Sequence, residues 1–211
     1  MALLALAAGS LVAGIAAYAV EGNLAVLLVD GSWTAAALFA VLACAKAWRA
    51  IPDARQRRPW LALAVALAWW LAGQLIWDFY AIRGTAVPAL PSAADACWIA
   101  FALVASVGFY WLSAGSSREA RISSALDIIA LDALVGVAAV FLFYDDFLAS
   151  SLSISGRITA MAYAVTYVSV VVSVLHTLLR KLDLRRHPAV LAVAAGTTLQ
   201  AIAFVMWTPQ L

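Results

Sequence analysis

Apolar residues run along this chain in long, almost unbroken segments, and the polar residues are gathered into short gaps between them. A helix that crosses a bilayer needs about 20 mostly apolar residues, with a range of about 17–25. Seven segments meet that requirement, at roughly 1–20, 32–50, 60–80, 93–114, 123–144, 157–179 and 188–207. The pattern predicts an all-α, polytopic membrane helix bundle, a single integral-membrane domain spanning residues 1–211. Pro59 and Pro188 stand where a helix begins, a position at which the missing N–H costs nothing. Pro91-Ser92-Ala93-Ala94-Asp95 reads as another helix start, with Ser92 as N-cap and the Asp95 carboxylate reaching back to the Ser92 N–H. Gly84, Pro88 and Pro91 keep the connection before it out of helix. Leu24 to Val29 is apolar but too short to cross, and is read as an extension of the first helix or a segment lying on the outer surface.

The gaps differ in charge. All of the 13 Lys and Arg residues except Arg83 and Arg157 fall in three gaps, Lys46 to Arg58, Arg118 to Arg121 and Arg180 to Arg186. These alternate with gaps holding Glu21 and Asp30, then Arg83, then the outer-loop pair Asp145 and Asp146. Lys and Arg are retained in cytoplasmic loops, so the alternation predicts seven crossings, a cytoplasmic N-terminus and an outside C-terminus. The location expected is a bacterial inner membrane. Composition agrees: 66% hydrophobic and 11% charged residues lie far from the soluble norms of roughly 45–50% and about 25%. The net charge of +2 comes from the inner gaps, so it marks topology and gives no support for nucleic-acid binding. The first positive charge is Lys46, so the N-terminal stretch lacks the basic region of a signal peptide and is expected to be a retained helix. Cys44 and Cys97 are expected toward opposite membrane faces, which predicts no disulfide. Two Cys and two His without ligand spacing predict no metal and no cofactor.

Polar residues inside apolar segments are costly, and by default they are functional candidates. Asp132 lies about 12 Å in from the inner end of helix five, counting 1.5 Å per residue. Ser173, Thr197 and Thr198 reach similar depth on helices six and seven and Gln200 slightly more, so these are the expected partners of Asp132 in an intramembrane polar core. The functional reading is a proton-linked or ligand-linked switch; the structural one is an Asp that fixes helix packing. Asp127 and His176, level with each other near the inner end, form a second pair. It is either an ordinary interfacial contact or a pH-sensitive one.

On helix three, Trp70, Gln74, Trp77 and Asp78 share one face, and Trp69, Gly73, Trp77 and Tyr80 form an adjoining stripe. Near the outer surface these meet Asp95 and Trp98 of helix four. Aromatic rings with carboxylates at the rim suit a cation or an amphipathic ligand. An aromatic belt at the membrane interface also explains Trp77, Tyr80 and Trp98 but explains the deeper Trp69, Trp70 and Gln74 poorly. No GxSxG elbow, HExxH pair, Walker loop or Cys/His dyad is present, and nothing here calls for an enzyme.

The run AWWLAGQLIWDFYAIRGTAVPALPSAADACWIAFALVASVGFYWL resembles a bacterial multi-helix membrane module found before GGDEF and EAL domains and sometimes before histidine kinases. The matching positions are Gly73, Trp77, Tyr80, Val87, Pro88, Pro91, Ser92, Ala94 and Asp95, and LDALV around Asp132 is similar to a second signature of that family. The resemblance covers roughly residues 60–205; helix six, AMAYAVTYVSVVVSV, lacks the Pro and Asp common there, and Gln200-Ala201 stands where an Ala-Asp is usual. It implies a non-catalytic sensory module that detects a small-molecule or lipid ligand and regulates a cytoplasmic effector such as a diguanylate cyclase, phosphodiesterase or kinase. That effector would follow an eighth helix in a longer chain or belong to a partner, and a homodimer is a further possible partner. The alternatives are a small transporter or channel lined by Asp132, Gln74 and Gln200, and an integral-membrane lipid enzyme using Asp127, Asp132 and His176.

Overall fold

The computed structural model describes residues 2–16, 19–20, 22–83, 90–114, 117–180 and 188–207. Seven helices lie among the described residues: α1 (Ala2–Ala16), α2 (Asn23–Ala50), α3 (Ala54–Ile82), α4 (Ala93–Ser113), α5 (Arg118–Ala149), α6 (Ile154–Arg180) and α7 (Pro188–Trp207). Each overlaps one of the apolar segments read from the sequence, and no strand occurs among the described residues. Four stretches are long and apolar enough to cross a membrane: Leu24–Ala50, Ala54–Ile82, Ala93–Ser113 and Ile154–Arg180. Their exposed faces carry Leu61, Val65, Leu75 and Phe79 on α3, Leu103, Val107 and Trp111 on α4, and Ile158, Val165 and Leu175 on α6. A helix that is apolar on its outward face as well as its packed face is at home in lipid, and in water such patches would drive aggregation. The chain is a helical membrane protein.

Several helix starts lie earlier than the hydropathy pattern implies. Leu24 to Val29 belongs to α2, so it extends the second helix and not the first, and Asp30 and Gly31 sit inside that helix rather than in a gap. One Gly costs a helix only about 1 kcal/mol, too little to break it, and the turn before α2 is made by Gly22 at φ 70°. Likewise α3 begins at Ala54, because the Asp53 carboxylate accepts from the N–H groups of Arg55 (2.6 Å) and Gln56 (3.3 Å). Pro59 is therefore inside α3 and not at its first position. Arg118 and Arg121 fall in the opening turns of α5, where the Ser117 hydroxyl accepts from the Ala120 N–H at 3.1 Å. At the other end Asp145 and Asp146 are still helical. With 32 residues, α5 is about 48 Å long at 1.5 Å per residue, which exceeds the roughly 30 Å of a hydrocarbon core. Pro188 does begin α7, and Ser92 N–H donates to Asp95 Oδ2 at 2.5 Å, the back-reaching half of the expected capping box. Gly84, Val87 and Pro88 lie outside the described residues, and the Leu90–Pro91 peptide bond is cis.

The chain packs as two compact units, residues 1–101 and 102–211, with the boundary inside α4. In the first unit α1 packs on α2 and α2 on α3. The buried stripe of α3 runs Pro59, Leu63, Ala66, Trp70, Gly73 and Gln74, the i, i+3/i+4, i+7 spacing of one helix face. In the second unit α6 lies between α5 and α7. Its buried stripe is Ala160, Tyr163, Tyr167, Val170, Val174 and Thr177. The Tyr163 and Tyr167 rings pack at 5.8 Å, and Thr177 Oγ1 donates to the Phe109 carbonyl of α4 at 3.0 Å. Cys44 and Cys97 are free and buried.

Candidate functional site

In the first unit, α3 sets Trp70, Gln74 and Asp78 one turn apart on a single face. Gln74 Nε2 donates to Asp78 Oδ1 at 2.8 Å. From α2, Thr34 Oγ1 donates to Asp78 Oδ2 at 2.5 Å, so both oxygens of this half-buried carboxylate are engaged. Asp30, one turn before Thr34 on α2, is close enough for its charge to act on Asp78. Below them lies an aromatic stack. Trp70 is stacked with Trp33 of α2 (6.3 Å between centroids), tilted against Trp98 of α4 (5.9 Å) and edge-on to Phe101 (5.2 Å). Trp77 closes the other side of Trp98 at 5.8 Å.

Gly73 makes this packing possible. A Cβ there would sit 2.6 Å from Trp98 Nε1, so the indole lies directly against the α3 backbone. The structure thus brings together Trp70, Gln74, Trp77, Asp78 and Trp98 of the residues read from the sequence. Asp95 is buried at the start of α4 and its carboxylate turns back to its own helix N-terminus. Tyr80 belongs to a neighbouring rim group: its ring is edge-on to Phe79 at 6.0 Å, and the Arg83 guanidinium lies 4.2 Å over the Phe79 ring. Trp69 faces outward, 45% exposed. Sequence reasoning missed Asp30, Trp33 and Thr34. Their i, i+3, i+4 spacing is a helix-face signal, but it is lost when the helix is taken to begin at residue 32.

The second unit holds the other polar group. Asp127 Oδ2 accepts from Arg180 Nη2 at 2.7 Å and lies 3.6 Å from His176 Nε2. Arg180 Nη2 also reaches Ser123 Oγ at 3.3 Å. The expected Asp127–His176 approach is therefore present, with Arg180 as a nearer partner the sequence did not reveal. Asp132 faces α6, and its polar neighbour there is Ser169, not the expected Ser173, Thr197 or Thr198. Depth counting gives height along a helix and not azimuth, and Ser169 is one turn from Ser173 on the same face. Ser173 is fully buried. Thr197 Oγ1 donates to its own helix at the Val193 carbonyl, 2.8 Å away, and the Gln200 side chain lies outside the described residues.

Chemically, the first cluster offers fixed hydrogen-bond acceptors above aromatic faces. Among the described residues no three His, Cys, Asp or Glu side chains converge as metal ligands. No family model matches this sequence, and neither a curated protein nor a solved structure matches it.

Proposed function

We propose that this chain is a non-catalytic signal-input module of a bacterial inner membrane, crossing it seven times with its N-terminus inside. It detects a ligand outside or within the bilayer and regulates a cytoplasmic effector, a diguanylate cyclase, phosphodiesterase or kinase in the same protein or in a partner. The input site is the corner formed by α2, α3 and the start of α4. One observation carries this reading: the Asp78 carboxylate, held by Thr34 and Gln74, stands over the Trp70–Trp98 stack with Asp30 close by. Carboxylates beside indole faces favour a cationic or amphipathic ligand, because the face of each ring carries partial negative charge. The alternation of basic and non-basic gaps supports the orientation, which places the α3–α4 corner outside.

The test is the triple variant Trp70→Ala, Gln74→Ala, Asp78→Asn in the native host, with cellular cyclic-di-GMP or kinase output as the readout. At equal membrane abundance the variant is expected to lose the response. A response equal to wild type overturns the assignment.

A further inference from the structure

Four buried polar atoms in the second unit have no hydrogen-bond partner among the described residues: Ser124 Oγ and Asp132 Oδ1 on α5, and Ser173 Oγ and His176 Nδ1 on α6, while His176 Nε2 has only the Asp127 carboxylate, 3.6 Å away. Those on Asp132, Ser173 and His176 lie along one seam. Ser169, Ser173, His176 and Arg180 follow one another at i, i+4, i+7 and i+11 on one face of α6. The opposing helix is pinned to that face at two heights, by Asp127 against His176 and Arg180 and by Asp132 against Ser169. From Arg180 to Ser169 is eleven residues, about 16 Å of helix. The seam therefore starts at an exposed Arg180 and ends at the half-buried Asp132.

Each buried donor or acceptor without a partner costs about 1–3 kcal/mol. Three of them along one seam would consume a sizeable part of the stability of a typical domain, about 5–15 kcal/mol. Buried water, which makes about three hydrogen bonds per molecule to such groups, removes that cost. Val170 and Val174 of the α6 core offer water no polar side-chain atom.

We propose that α5 and α6 enclose a short file of water running from Arg180 past His176 and Ser173 to Asp132, through which Asp132 exchanges protons with the aqueous phase at the Arg180 end. Asp127, His176 and Arg180 are the charged or titratable groups at its mouth. The elements packed alongside add little: α7 carries no titratable side chain, and the second-unit half of α4 carries only Tyr110, whose hydroxyl donates to the Arg121 carbonyl at 3.3 Å. The route is independent of the ligand corner in the first unit.

X-ray hydroxyl-radical footprinting of the wild-type protein tests it, because radicals generated from bound water oxidise the side chains beside that water. His176, 6% exposed, should be oxidised several-fold faster than Tyr163 (1%) and Tyr167 (0%), although tyrosine is intrinsically the more reactive ring, and, relative to intrinsic reactivity, faster than the equally exposed Val172 (6%). Protection of His176 equal to that of the two tyrosines overturns the proposal. Further along the seam, Ser173→Cys should react with silver ion several-fold faster than Val170→Cys or Val174→Cys, each read by peptide mass alongside native Cys44 and Cys97. Equal rates would mean that water does not reach Asp132, which also overturns the proposal. Should Ser173→Cys fail to fold, the wild-type footprint decides alone.

Discussion

Replacing Gly73 by Ala adds one methyl group where the fold has no room for it. The new Cβ would lie 2.6 Å from Trp98 Nε1, 2.7 Å from Cδ1 and 3.0 Å from Cε2, against a comfortable carbon separation of about 3.5–4.0 Å. Trp98 cannot swing aside, because Trp70 and Trp77 hold it at 5.9 and 5.8 Å. The helices must instead part by about 1 Å, and overpacking of this kind typically costs about 1–3 kcal/mol. Helix propensity pulls the other way, since Ala is favoured over Gly by about 0.8–1.0 kcal/mol in a helix interior. The steric term is the larger, leaving a net loss of up to about 2 kcal/mol, or up to about 8 °C in Tm for a chain of this size. Gly136 on α5 is the control: nothing lies within 4 Å of its would-be Cβ, so Gly136→Ala should raise stability by up to about 1 kcal/mol. Thermal unfolding in detergent or nanodiscs, followed by tryptophan emission, separates the two. A gain in Tm for Gly73→Ala like that of Gly136→Ala would refute the packing of Trp98 against α3, and with it the geometry of the corner.

Three further outcomes follow from named hydrogen bonds. Thr34→Val removes the α2 donor to Asp78 and should cost about 0.6–1.7 kcal/mol, the range of interhelical bonds in membranes; a double-mutant cycle with Asp78→Asn should show coupling, and strict additivity would deny the contact. Asp53→Ala strips the α3 N-cap and should lower stability by about 0.5–2 kcal/mol, whereas Asp53→Asn should largely retain it. Thr177→Val removes the α6-to-α4 bond to Phe109, and interhelical bonds in membranes average about 0.6 with a maximum near 1.7 kcal/mol, so a loss well above that range would show that Thr177 does more than donate it.

The number and approximate placement of the helices were legible because lipid demands long apolar runs, and these survive any ambiguity about neighbours. Helix ends were less so. Asp30 and Gly31, the Arg55–Arg58 stretch and Arg118 read as gaps on hydropathy, yet all are helical. Hydropathy reports where a helix meets lipid, whereas caps such as Asp53 and Ser117 decide where it starts. Within the candidate site, the α3 face of Trp70, Gln74 and Asp78 could be read from spacing along one helix, and the Asp95 cap from four adjacent residues. Partners on other helices, Thr34 for Asp78, Ser169 for Asp132 and Arg180 for Asp127, depend on how the helices are rotated about their axes. Hydropathy along a single chain does not encode that rotation.

The account requires the aromatic corner to face the side opposite the effector. Arg83, exposed at the end of α3, and Arg57, exposed near its start, report the two sides when each is changed to Cys. The background is low because native Cys44 and Cys97 are buried. In intact cells stripped of their outer membrane, a membrane-impermeant maleimide should label Arg83→Cys at once and Arg57→Cys only after lysis. Labelling of Arg57→Cys in intact cells, with Arg83→Cys protected until lysis, would put the corner in the cytoplasm and contradict the account.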